Sequence, residues 1–244
     1  MRTGRVQIAR FVAAVLITSG VLLLVDVAIT LAWQEPISAL IAGHEQSQLR
    51  HQLTRLERLS AADERALAAI RDQPAGFAAL AGRAQERARS GHALGRISMP
   101  SLGSSYVVVQ GTDGSSLRRG PGHYPGTPLP GQPGTVAIAG HRTTYLAPFR
   151  DIDELHPGDQ VVLEMPYGRF VYSVEQTRIV KADAVWVTKP VGYPRLVLTA
   201  CHPLYSASKR IVVFAKLTEE ESRDSSRRTS PTISASDIRN TTSQ

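Results

Sequence analysis

Two tracts decide the fold: Arg195-Leu196-Val197-Leu198-Thr199-Ala200-Cys201-His202 and, after a short polar loop, Arg210-Ile211-Val212-Val213-Phe214-Ala215-Lys216-Leu217. Each is a compact run rich in β-branched and other apolar residues, bounded by turn residues, so each reads as an apolar β-strand. Working outward, the same texture recurs at 94–98, 104–111, 134–141, 159–165, 169–180 and 185–189, separated by Gly and Pro turns. That makes about eight strands between residues 93 and 217. Only 143–155 (TTYLAPFRDIDEL) reads as a helical turn, ended by Pro157-Gly158-Asp159. The expectation is an all-β barrel or sandwich, large enough for one domain.

The rest of the 244 residues are appendages to that domain. Residues 11–33 (FVAAVLITSGVLLLVDVAITLAW) carry one ionisable side chain, Asp26, and at about 1.5 Å per residue would cross a hydrocarbon core of roughly 30 Å. Arg2, Arg5 and Arg10 precede this run and no Lys or Arg follows before Arg50, which places residues 1–10 in the cytoplasm and the β domain outside. A cleaved signal peptide is the competing reading, but no Ala-x-Ala site closes the run. Residues 34–92 read as a helical stalk or linker, with Leu49, Leu53, Leu56 and Leu59 at helical spacing and Pro74 and Gly76 interrupting; the helices either stand as a stalk or pack beside the globular part. Residues 218–244 are polar, aperiodic and expected to be disordered. The net charge of +7 predicts attraction to polyanions. Export makes nucleic acid the wrong partner and points to anionic lipid or wall polymer.

Cys201 is the only cysteine, which excludes an internal disulfide framework and any Cys-rich metal site. In an oxidising compartment a lone thiol is a liability unless it does chemistry, and a thiol acts as a nucleophile only with a base or a positive setting beside it. His44, His51 and His92 lie in the stalk region and His156 in a turn, while His202, next to the thiol in an extended run, points to the opposite face. His141, closing the run TVAIAG, is favoured over His123 in the loop GPGHYPG, which could line a substrate groove. If the last two strands pair antiparallel, Arg210 stands beside the sulfur, where its planar fork of donors could stabilise an oxyanion. The acidic set Asp151, Asp153 and Glu154 reads as a solvated face, and nothing calls for a metal or cofactor.

The order His, Cys sixty residues later and Arg nine further on, with Cys closing a β-strand, resembles the sortases, whose nucleophile segment is commonly Thr-Leu-x-Thr-Cys; here it is Val197-Leu198-Thr199-Ala200-Cys201. The stretches 120–149, 155–162 and 201–217 resemble class E sortases of high-GC Gram-positive bacteria, with class D next. The resemblance implies a closed eight-stranded barrel and a transpeptidase. Its Cys attacks the Thr–Gly bond of a C-terminal sorting motif, and an amine of a peptidoglycan precursor resolves the thioacyl enzyme. Carried over residue by residue, Cys201 is the nucleophile, His141 the acid and base, and Arg210 the oxyanion and positioning group. Class E membership implies a Leu-Ala-x-Thr-Gly motif, with Tyr145 a candidate for that preference. Ala200, where the family usually has Thr, touches how the substrate backbone is held. A papain-like protease, an L,D-transpeptidase and a non-enzymatic, membrane-anchored domain docking wall polymer are the alternatives; the first two fail on residue order and on the approach to the thiol.

Overall fold

The computed structural model describes residues 2–32, 36–66 and 74–222. Three helices lead in: α1 (Arg2–Ala32), α2 (Pro36–Ala66) and α3 (Pro74–Arg87). Eight strands follow: β1 (Ala93–Met99), β2 (Ser104–Gln110), β3 (Gly122–His123), β4 (Thr135–Ala139), β5 (Gln160–Met165), β6 (Gly168–Lys181), β7 (Arg195–His202) and β8 (Lys209–Ser222). A short helix, α4 (Gly114–Arg119), lies between β2 and β3. The strands close into a barrel in the order β1-β2-β3-β4-β7-β8-β6-β5, in which the pairs β2–β3 and β4–β7 are parallel and the rest antiparallel.

Alternation along the strands sorts side chains between the two faces of the wall. Leu196, Leu198 and Ala200 of β7 enter the interior with Val136, Ile138, Ile211 and Val213. Val197 turns outward, as do Ala137, Val212 and Phe214, and together with Val187 they form a separate apolar patch on the outer wall. The barrel is therefore built of strands apolar on both faces here, which is why β7 and β8 read as continuous apolar runs.

Two of the leading helices pack against the barrel. Leu49 and Leu53 of α2 are buried against Ala93, Val107 and Val109, while Leu59 is 61% exposed, so the leucine stripe docks through its N-terminal half. Because β3 is only two residues long, it leaves Val107 of β2 without a strand partner on that side. The buried Gln46 amide supplies one: it accepts from Val107 N–H (2.8 Å) and donates to the Val107 carbonyl (3.1 Å). Phe77, Leu80 and Ala81 of α3 join the interior cluster, Phe77 meeting Phe170 edge-on at 5.4 Å. Helix α1 contains one stretch long and apolar enough to cross a membrane, Arg10–Ala28, with mean hydropathy 2.4 and no part of it buried in the protein.

Several expectations are corrected. The run 185–189 is no strand: Val185–Thr188 forms a 3-10 turn, because the Arg195 guanidinium holds the Val187 and Lys189 carbonyls (2.9 and 3.0 Å) and folds the segment over the outer wall. The missing strand is β3. Within 143–155 only Ile152–Glu154 is helical, as a 3-10 turn. Residues 218–222 belong to β8, not to a tail, and Arg169 lies 3.9 and 3.7 Å from Glu219 and Glu221 across the pair. The expected disorder of the remainder concerns 223–244, outside the described residues.

Candidate active site

The parallel pairing of β4 with β7 sets Ala139 opposite Thr199, and the Gly140 N–H continues it by donating to the Thr199 carbonyl (3.0 Å). Two residues past Ala139, His141 comes level with Cys201. On the other side of β7, the antiparallel register sets Cys201 directly opposite Arg210. By this register His141, two residues past the end of β4, falls in one row with Cys201 on β7 and Arg210 on β8, where neighbouring strands run about 4.8 Å apart. Cys201 shares the outward parity of Val197 and Thr199, so the thiol opens on the outer wall and not into the barrel. All three residues are half-buried.

A cleft of about 340 Å³ runs beside the sulfur, lined by Cys201, by Arg142, Thr143 and Thr144 after β4, and by Tyr205, Ser206 and Ala207 of the β7–β8 loop. Arg210 donates through Nη1 to the Ala207 and Lys209 carbonyls (2.8 and 2.9 Å), which fixes the guanidinium and leaves Nε and Nη2 without a partner among the described residues. Burial holds the His141 imidazole below its ordinary pKa, and the Arg118 cation on α4 lowers it further. Neutral imidazole is the form that can accept a proton from a thiol or an incoming amine.

The chain around His141 is tightly constrained. Tyr145, Leu146 and Ala147 all have positive φ (51°, 64° and 40°), a conformation that costs non-glycine residues about 1 kcal/mol or more each. Arg142, 3% exposed, cinches this loop: Nε and Nη2 donate to the Arg150 carbonyl (2.9 and 2.8 Å), and Nη2 also reaches Asp153 (2.7 Å). Its Nη1 donates to His202 Nδ1 (3.4 Å), joining the segment after His141 to the segment after Cys201. Gly140 leaves no room for a side chain, because a Cβ there would sit 2.5 Å from the Phe149 ring.

Other expected site residues fare differently. Tyr145 is half-buried with its ring 5.3 Å from that of His141, and its N–H donates to Ser38 of α2 (3.4 Å). His123 does not line a groove. It is 2% exposed, its Nδ1 pairs with Gln110 (2.9 Å), its Nε2 with the Pro128 carbonyl and Thr127 (3.0 Å each), and burial lowers its pKa. Ala200 is 3% exposed inside the barrel, so its side chain cannot meet a substrate. Sequence reasoning missed Tyr124, which packs against the outer apolar patch and bonds Thr199 Oγ1 through its hydroxyl (2.8 Å), as well as Arg118 and Arg142. Arg142 had a signal, its place directly after His141; Tyr124 had one in the alternation that turns it away from His123.

Residues 97–218 match the family model of the sortase domain. The chain belongs to the sortase family. It is 34% identical over 138 residues to sortase D of Bacillus subtilis, covering 55% of this chain and 68% of that one. It is 32% identical over 149 residues to sortase SrtE1 of Streptomyces coelicolor, of whose length the match covers 42%. Among solved structures, sortase E1 from Streptomyces coelicolor with a tripeptide in its active site superposes with TM-score 0.53 at 28% identity, covering 57% of this chain and 95% of that one. Sortase E from Streptomyces avermitilis gives 0.52 at 33% identity, covering 56% and 95%. Sortases are cysteine transpeptidases, and this sortase shares their closed eight-stranded barrel. Relatives of both class D and class E are therefore on hand.

Proposed function

We propose that this sortase cleaves a C-terminal sorting motif of the Leu-Pro-x-Thr-Gly type, in its Leu-Ala-x-Thr-Gly form, between Thr and Gly, and transfers the protein to an amine of a peptidoglycan precursor. The observation that carries the reading is the row His141, Cys201, Arg210 on the outer wall, with the cleft opening beside the sulfur. As Cys201 Sγ bonds to the Thr carbonyl carbon, the thiol proton passes to His141 and from it to the leaving Gly amine when the C–N bond breaks. In the second half His141 takes a proton from the acceptor amine, whose nitrogen bonds to the same carbon as the C–S bond breaks, and returns it to the departing Cys201 thiolate. Arg210 offers Nε and Nη2 to the oxyanion that forms in each half. Tyr145, against His141, contributes to the choice of motif. The apolar stretch of α1 anchors the enzyme with residues 1–10 in the cytoplasm and the barrel outside the cell.

The test is cleavage of a quenched Leu-Ala-x-Thr-Gly peptide. Cys201→Ala and His141→Ala each abolish it in folded protein, and Arg210→Lys, which keeps the charge but loses the fork, lowers kcat on the order of a hundredfold. Full activity in folded His141→Ala contradicts the assignment.

A further inference from the structure

Chain length limits how far the catalytic cleft can stand from the apolar stretch of α1. That stretch ends at Ala28, the helix itself at Ala32, and α2 starts at Pro36. At 1.5 Å per helical residue and at most 3.8 Å per extended one, Ser38 lies no more than about 25 Å from Ala28. Ser38 is the residue that holds the Tyr145 N–H, and the Tyr145 ring lies against His141. From there α2 runs away from the site. Leu56 and Leu59, roughly 30 Å further along the helix, line a groove with Pro166 and Tyr167 of the β5–β6 turn. The catalytic end of the barrel is therefore the end tethered to α1.

The surface at that end combines apolar tips with unpaired lysines. On α2 the positions Ser38, Ala42, Gln46 and Leu49 are buried, while Leu40 and Ile41 are exposed. Across the cleft from Thr144, the β7–β8 loop presents Leu204 and Tyr205 to solvent and holds Tyr205 at φ 64°, a strained conformation for a bulky residue. Beside that loop the register sets Lys181 of β6 directly opposite Lys209 of β8, with Val180 opposite Arg210 in the next row. Both lysines are exposed, and neither has a carboxylate partner among the described residues. Like charges facing each other across paired strands oppose folding, and a negatively charged surface relieves them. An acidic wall polymer answers the lysines but offers nothing to the apolar tips. The interface of an anionic bilayer answers both: aliphatic and Tyr side chains leave water there, and the ammonium groups meet the headgroups. We propose that the catalytic end of the barrel rests on the anionic surface of the membrane that α1 crosses, through Leu204, Tyr205, Lys181 and Lys209 with Leu40 and Ile41 of α2, so that the cleft beside Cys201 opens at the headgroups. This rests on α1 as the anchor and not on the transfer reaction.

Because Cys201 is the only cysteine, Cys201→Ala gives a full-length chain into which a single labelled thiol can be set. Leu204→Cys places the label at the loop tip, and Arg58→Cys places it on an exposed position of α2 about 30 Å beyond Ser38. Each protein carries a fluorophore there and is reconstituted into phosphatidylglycerol–phosphatidylcholine vesicles that contain a lipid spin-labelled at its headgroup, a short-range quencher. The label at position 204 is expected to lose most of its emission and the label at position 58 to keep its own. Lys181→Gln with Lys209→Gln is expected to lower the ratio of resting to lifted barrels about thirtyfold, as two lysines at an anionic surface are worth, so that emission at position 204 recovers. Equal emission loss at the two positions in vesicle-bound protein overturns the inference, and quenching at position 204 that the double variant leaves untouched overturns the role of the lysines. Flotation of the same samples keeps the two readings apart: protein that does not float with the vesicles contradicts α1 as the anchor, whereas floating protein with an unquenched label at position 204 contradicts the resting surface alone.

Discussion

Gly140→Ala tests whether the row at the strand ends is set by packing. The added Cβ lies 2.5, 2.7 and 3.0 Å from Cδ2, Cγ and Cε2 of Phe149, where carbon atoms rest at about 3.5 Å or more, so something must move by about 1 Å. Phe149 cannot swing away: it is fully buried, and its N–H donates to the His141 carbonyl at 3.0 Å. The strain divides between the ring and the end of β4, at an overpacking cost of about 1–3 kcal/mol. For a domain of this size that lowers Tm by roughly 3–9 °C. Because Gly140 is bonded to Thr199 and followed directly by His141, the shift moves the imidazole relative to Cys201. A displacement of about 1 Å at a reacting pair costs on the order of a hundredfold in rate. Peptide cleavage and thermal melting of the purified enzyme read both effects, and Phe149→Leu in the same chain should restore part of each. Wild-type rate and Tm in Gly140→Ala, or losses that Phe149→Leu does not relieve, would refute the reasoning.

Arg142→Met removes a buried cation, leaves the Arg150 carbonyl without its donors and frees the strained turn at 145–147; the expected loss is about 3 kcal/mol, seen in urea denaturation, with kcat falling more than KM rises. Unchanged kcat in the folded variant contradicts a positioning role. Stability should also fall with acid through His123. Its folded pKa lies below the ordinary 6.5, so the unfolded chain takes up the proton first; the contribution is full above 6.5 and is lost as pH drops toward the folded value, and His141 acts in the same sense. The stability difference between wild type and His123→Gln should narrow between about pH 7.5 and about pH 5.5, and parallel curves would contradict the assignment.

What was legible in the chain follows from local physics. β4, β7 and β8 are apolar on both faces, so their continuous runs stood out, and the spacing of Cys201 and Arg210 around an eight-residue loop translated directly into opposite positions on β7 and β8. The errors have causes as specific. Val185–Thr188 carries a strand-like composition, but a distant Arg195 dictates its turn. Gly122–His123 is too short to announce itself as a strand, and its partners on β2 and β4 make it one. The acidic run 219–221 looks like tail until Arg169 on the neighbouring strand is in place. Ala200 and His123 are both turned away from the cleft by alternation: it sends Ala200 into the barrel while Cys201 faces out, and it buries His123 while Tyr124 reaches the outer wall. Arg118 was invisible because no sequence pattern brings α4 to Tyr145.

The most direct test of the central claim is the intact mass of the wild-type enzyme quenched in acid during turnover of a Leu-Ala-x-Thr-Gly peptide, with peptide mapping of the adduct. A species heavier by the acyl fragment ending in Thr, linked to Cys201, absent in Cys201→Ala and accumulating in the absence of an amine acceptor, is the predicted result. Cleavage of the peptide at its normal rate by Cys201→Ala, or an adduct on any other residue, would contradict the account.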